Sequence, residues 1–96
     1  MLASPELQGT DLFQRVLDAA AARARIVLGE RIALVRCDHI EIRHGHADPH
    51  FEAWCVRDGN GDATISAIAS CRDEVGRERV VVAGRFTFSV VATGQS

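Results

Sequence analysis

The chain contains no lysine; all eleven of its basic residues are arginine. Arginine suits phosphate and carboxylate recognition through its fixed fork of donors. Set against thirteen acidic residues, however, it leaves a formal net charge of −2. That balance gives no electrostatic footprint for nucleic acid or an anionic membrane. Long apolar runs are missing as well, and nothing approaches the roughly 18 residues that a membrane span needs. The first residues, Met1-Leu2-Ala3-Ser4-Pro5-Glu6, show neither a basic nor an apolar leader segment, so the expected location is cytoplasmic. Cysteine is scarce and unpatterned: Cys37, Cys55 and Cys71 are odd in number, lack CxxC spacing and fall in predicted strands. Buried free thiols are the expectation, with no metal and no cofactor implied. With 96 residues and no linker or repeat, the chain is expected to form a single domain over residues 1–96. A domain of that size buries only about 60–65% of its unfolded surface, so oligomerisation is expected too.

What is present divides into one helix and a long run of strand-forming sequence. Leu12, Phe13, Val16, Leu17, Ala20, Ala24 and Val27 recur at the spacing of one apolar helix face, which predicts a helix from Leu12 to about Leu28. Thr10 or Asp11 is placed to cap its start, and Gly29 to stop it. Alanines at 19, 20, 21, 22 and 24 leave a slim surface that another backbone can approach. Residues 31–43, 50–58, 62–73 and 78–92 are rich in Val, Ile, Thr, Phe and Ala, with partial alternation. Turn sequences separate them: Gly45 to Pro49, Asp58-Gly59-Asn60-Gly61, and Asp73 to Arg77. The short connections predict an antiparallel meander, and the last strand, apolar on both faces, belongs in the interior of the sheet or against the helix. The fold class is α+β, one long helix wrapped by an antiparallel sheet.

That order resembles the hot-dog fold, in particular the acyl-CoA thioesterases of the phenylacetate-pathway kind. Leu12 to Ala22 (LFQRVLDAAAA) looks like the family's helix with its aspartate centre, and Ile32 to Ile42 (IALVRCDHIEI) like the strand after it. Asp73 to Val91, with Gly76-Arg77 in a turn and a strand ending in Gly-x-x-Thr-Phe, looks like the closing hairpin. The resemblance covers about residues 9–92. The family has a further strand and a His-Gly-Gly type segment ahead of the helix, where this chain reads Gln8-Gly9-Thr10-Asp11.

The resemblance implies hydrolysis of an acyl thioester, carried by coenzyme A or acyl carrier protein, in a homodimer or tetramer. Asp18 would activate water or attack the carbonyl, and partial burial between subunits would raise its pKa. Unpaired backbone N–H groups from Gly9 to Leu12, with Thr10 among them, would polarise the carbonyl, and Gly9 would admit the substrate closely. Gln14, one turn before Asp18 on the same face, and Thr10 are candidates for contact with the substrate. Members of the family place basic residues in the hairpin that meets the nucleotide end of coenzyme A; here that hairpin reads Arg57-Asp58-Gly59-Asn60-Gly61-Asp62, which makes Arg57 the substrate-contact candidate.

Other readings stand beside this one. On a helical wheel Asp18 falls opposite the Leu12/Val16/Ala20 face, so Gln14, Asp18 and Arg25 also fit a solvated helix face. A dehydratase reading aligns Gln14 with a catalytic carboxylate, a role an amide cannot fill. The domain would otherwise be a binding or assembly module without activity, and a cystatin-like helix on a curved sheet is the alternative architecture. His44, His46, Asp48 and His50 offer ligand types suited to zinc or nickel, but without a fixed metal-site spacing; a solvated loop is the expectation. Trp54 is expected in the core, and His39 in the core or at an interface.

Overall fold

The computed structural model describes residues 9–43 and 47–91. Helix α1 runs from Gly9 to Leu28. It has begun by Gly9, so Thr10 and Asp11 lie inside the first turn instead of capping it, and Asp11 sets a carboxylate near the positive end of the helix dipole. The helix ends as expected: Gly29 takes φ 101° and donates its N–H to the Arg25 carbonyl at 2.9 Å.

Four strands follow, β1 (Ile32–Ile42), β2 (Ala47–Gly59), β3 (Asp62–Arg72) and β4 (Glu78–Val90). They form one antiparallel sheet in the order β1-β4-β3-β2. The meander is therefore only partly realised. β2, β3 and β4 are successive hairpin neighbours, whereas β1 pairs with β4 and lies at the edge opposite β2. Burial follows this order: β3 and β4 hold the centre and carry most of the buried strand residues, while β1 and β2 are the edges. The expected turn from Gly45 to Pro49 is also corrected. β2 already runs from Ala47, with Asp48 at φ 57° beside a register shift, and Pro49 is tolerated because this strand is an edge.

The other two turns form where the sequence puts them. Asn60 (φ 56°) and Gly61 (φ 80°) both take the left-handed conformation of a type I′ hairpin. At the β3–β4 turn the Asp73 carboxylate accepts the backbone N–H of Val75 (3.0 Å) and Arg77 (2.8 Å) and the Arg79 Nε–H (2.9 Å). Those bonds, the Arg79 one first, hold the Asp73 carboxyl below the usual carboxylate range against a smaller opposing effect of burial.

The core lies between α1 and one face of the sheet. Leu12, Val16, Ala20 and Ala24 meet Ala63, Ile65, Ala67, Ala69 and Cys71 of β3 and Val82, Phe86 and Phe88 of β4. Small residues on β3 let the alanine-rich helix sit close. Phe13 packs on Phe86 with ring centroids 5.8 Å apart and planes tilted by 53°. Gly84 is needed for space: a Cβ there would stand 2.7 Å from both Ile40 Cδ1 and Phe86 Cζ. Two arginines tie the helix to β2, Arg15 over the Phe51 ring at 4.8 Å and Arg23 through the Ala53 carbonyl at 3.3 Å.

Candidate functional site

Asp18 lies on the exposed face of α1, turned away from the sheet. Gln14, one turn earlier, donates a hydrogen bond from Nε2 to Asp18 Oδ1 at 3.0 Å. The amide carries two N–H donors, so the second remains for another acceptor beside the carboxylate. Ala22, the following residue on that face, is exposed and leaves Asp18 open from the C-terminal side.

The helix entrance does not join this pair within one protomer. At 1.5 Å of rise per residue, Gly9 stands about 13 Å and Thr10 about 12 Å along the axis from Asp18. Donors at the entrance and a water activated by Asp18 therefore cannot serve one carbonyl carbon in a single subunit.

Arg57 is also apart from Asp18. It pairs in register with Thr64, and that residue is paired with Thr87, whose side chain belongs to the sheet face away from the helix. Thr64 and Thr87 share a hydrogen bond at 3.1 Å. With Arg36, Asp58 and Asn60, these residues line an open hollow of about 310 Å³.

Several residues take positions the sequence did not indicate. Trp54 is 45% exposed on that outer face, not in the core. His39 is exposed, at φ 55° in an irregular stretch of β1. Cys71 is buried and Cys55 half-buried, but Cys37 is exposed, because it sits on an edge strand that α1 barely covers. Of the histidine cluster, His44 and His46 lie outside the described residues; His50 is exposed on β2, its Nε2 4.0 Å from Glu78. Among the described residues no three His, Cys, Asp or Glu side chains gather as a metal site, and no helix is long and apolar enough to cross a membrane.

Edge strand β1 leaves Leu34, Val35, Ile40 and Ile42 between 38% and 57% exposed. These apolar side chains alternate with Arg36, Asp38, His39 and Glu41 along an edge strand whose outward backbone groups have no strand partner among the described residues.

A long helix laid across one face of this antiparallel sheet is the hot-dog fold, and solved structures of that fold match over nearly the whole chain. A hexameric broad-specificity acyl-coenzyme A thioesterase (HI0827), solved as an aspartate-to-alanine mutant, is similar with a TM-score of 0.80 at 17% identity, covering 100% of this chain and 75% of its own. The hexameric thioesterase y2039 from Yersinia pestis gives 0.77 at 19% identity over 92% and 75% of the two chains. An acyl-CoA hydrolase from Agrobacterium tumefaciens gives 0.77 at 18% identity over 94% of this chain and 38% of its own. These likenesses set the cystatin-like architecture aside and establish the fold. No protein-family model matches the chain, and no curated protein matches it in sequence.

Proposed function

We propose that this protein hydrolyses acyl thioesters, with Asp18 as the reacting carboxylate at a boundary between subunits. The observation that carries the reading is a hydrogen-bonded carboxylate in the middle of the hot-dog helix, on a fold whose similar solved structures are acyl-CoA thioesterases and hydrolases. Asp18 takes a proton from water as the oxygen attacks the thioester carbonyl carbon. The free N–H of Gln14 stabilises the oxyanion, and collapse of the intermediate expels the thiolate, which recovers the proton from Asp18. The products are a carboxylic acid and the thiol of coenzyme A or of an acyl carrier protein.

A partner completes the site. The exposed Leu34, Val35, Ile40 and Ile42 on the open β1 edge support strand pairing with a second copy. In the proposed assembly a subunit also lies over the exposed face of α1 and takes Asp18 out of bulk water. Entrance amides from Gly9 to Leu12 lie too far from Asp18 in their own chain, so they would act on the partner's substrate or on a distant part of their own. Arg57, on the outer face, would likewise reach the phosphates of coenzyme A bound elsewhere in the oligomer. Similar enzymes are hexamers, and an assembly of dimers into a hexamer fits this chain as well as a lone dimer or a tetramer. The reading places the protein in the cytoplasm, where acyl-CoA is made and used.

The test is thioester hydrolysis across a panel of acyl-CoA and acyl-pantetheine substrates, measured together with oligomeric mass. The wild type should release thiol as an oligomer, and Asp18→Asn should lower kcat by about 10²–10⁴ with the oligomer intact. No hydrolysis by the wild type, or none lost in Asp18→Asn, would overturn the reading in favour of a binding or assembly module.

A further inference from the structure

The register aligns one residue from each strand into a continuous row across the outer face. Asp38 of β1 pairs with Arg85 of β4, Arg85 with Ser66 of β3, and Ser66 with Trp54 of β2. Cross-strand partners project to the same face, so a carboxylate, a guanidinium, a hydroxyl and an indole stand in line about 5 Å apart. Arg85, Ser66, Trp54 and His39 line a hollow of about 180 Å³ floored by Ile68 and Ala83.

Three features distinguish this hollow from an ordinary solvated sheet face. First, His39 adopts φ 55° at a register shift, a conformation uncommon for a side chain with a Cβ, and this bulge brings its ring to the edge of the hollow. Secondly, the His39 ring is oriented: Nδ1 lies 3.1 Å from Asp38 Oδ1, which leaves Nε2 for another partner. Asp38 is engaged by His39 and by Arg36 at 3.4 Å; Arg85 stands beside it in register and feels its charge, but is in no ion pair within 4.0 Å among the described residues. Thirdly, the aromatic wall is the exposed Trp54.

We propose that this hollow is a binding site for a small planar carboxylate, separate from Asp18 and on the other side of the sheet. The acid group is received by the fork of Arg85, with Ser66 Oγ as a further donor, the His39 ring walls one side, and the flat apolar body lies against the Trp54 indole over Ile68. A shallow hollow of about 180 Å³ has room for a single ring with its carboxylate. Asp38 acts as a positioning residue: it holds the His39 ring and does not touch the ligand.

Trp54 is the only tryptophan and the chain has no tyrosine, so intrinsic fluorescence reports on this site alone. Benzoate is titrated into the full chain at constant ionic strength, with uncharged benzamide as the control. Benzoate should shift Trp54 emission saturably at millimolar concentration, benzamide at least about tenfold less tightly, and Arg85→Gln should weaken benzoate at least about tenfold while Arg85→Lys recovers part of the loss. Calorimetric titration of Trp54→Leu, which removes the probe, should show weakened binding too. An absence of saturable response, or equal affinity in wild type and Arg85→Gln, overturns the proposal. So does Trp54 emission that depends on protein concentration without ligand and ignores benzoate, since the face is then covered by a second copy. None of these readouts uses thioester hydrolysis, so they stand or fall apart from the Asp18 reading.

Discussion

Gln14 Nε2 donates a 3.0 Å hydrogen bond to Asp18 Oδ1 along the exposed face of α1, so one of the two carboxylate oxygens accepts from the amide. In the proposed reaction the amide's second N–H would face the oxyanion. Gln14→Ala should therefore reduce kcat of thioester hydrolysis by about 10²-fold while changing thermal stability little, because both residues are exposed. Gln14→Glu should be worse than Gln14→Ala, since it replaces a donor by a second negative charge. Steady-state kinetics with an acyl-CoA, alongside a melting curve, decides this; unaltered kcat in both variants sinks the role.

Space is tight at Gly84. A Cβ at this position meets Ile40 Cδ1 and Phe86 Cζ, each at 2.7 Å, and Phe86 is fully buried against the helix. Gly84→Ala should destabilise the protein by about 1–3 kcal/mol. Adding Ile40→Ala should restore part of that, since it clears one of the two contacts. Denaturant unfolding of the single and double variants tests it, and a neutral Gly84→Ala would mean that the ring of Phe86 can move.

Asp73 links the β3–β4 turn to the pH of the solution. Its pKa is lowered in the folded state, first by the Arg79 hydrogen bond and then by the Arg77 backbone N–H. A depressed carboxylate contributes stability that is present above the unfolded pKa of about 3.9 and is lost as pH falls through the lower folded value. The melting temperature of the wild type should exceed that of Asp73→Asn at neutral pH, and the gap should close below about pH 4. Parallel curves down to the acid limit would contradict the assignment.

The three thiols should be separable by rate. Cys37 is exposed, Cys55 half-buried and Cys71 buried. A thiol reagent should therefore modify Cys71 only on unfolding and Cys55 slowly. Cys37 is the informative one, because it lies on the β1 edge proposed to pair with a partner. Labelling of Cys37 should slow as protein concentration rises and the oligomer forms; a rate independent of concentration would place the contact elsewhere.

The helix was readable in the sequence because its apolar spacing runs unbroken from Leu12 to Val27 and a glycine follows it at 29. The Asn60-Gly61 hairpin was readable because few residues other than these accept both left-handed positions. Strand order was not. Pairing β1 with β4 instead of β2 depends on which strands bury the most surface, and that is settled only when all four compete for the helix. Trp54 shows the same limit: its hydrophobicity suggested the core, but strand parity at Ser66 puts it on the outer face.

For the candidate site, the sequence alone determined that a carboxylate stands opposite the apolar stripe of helix α1, because 3.6 residues per turn fixes that relation locally. The same local rule keeps Gly9 and Asp18 about 13 Å apart. Tertiary structure decided everything that depends on register between distant segments. It separated Arg57 from Asp18 by the thickness of the sheet, left the β1 edge open, and aligned Asp38, Arg85, Ser66 and Trp54 into one row. Register is a property of pairs of strands, and a shift of one residue in any pair would send those side chains to the other face.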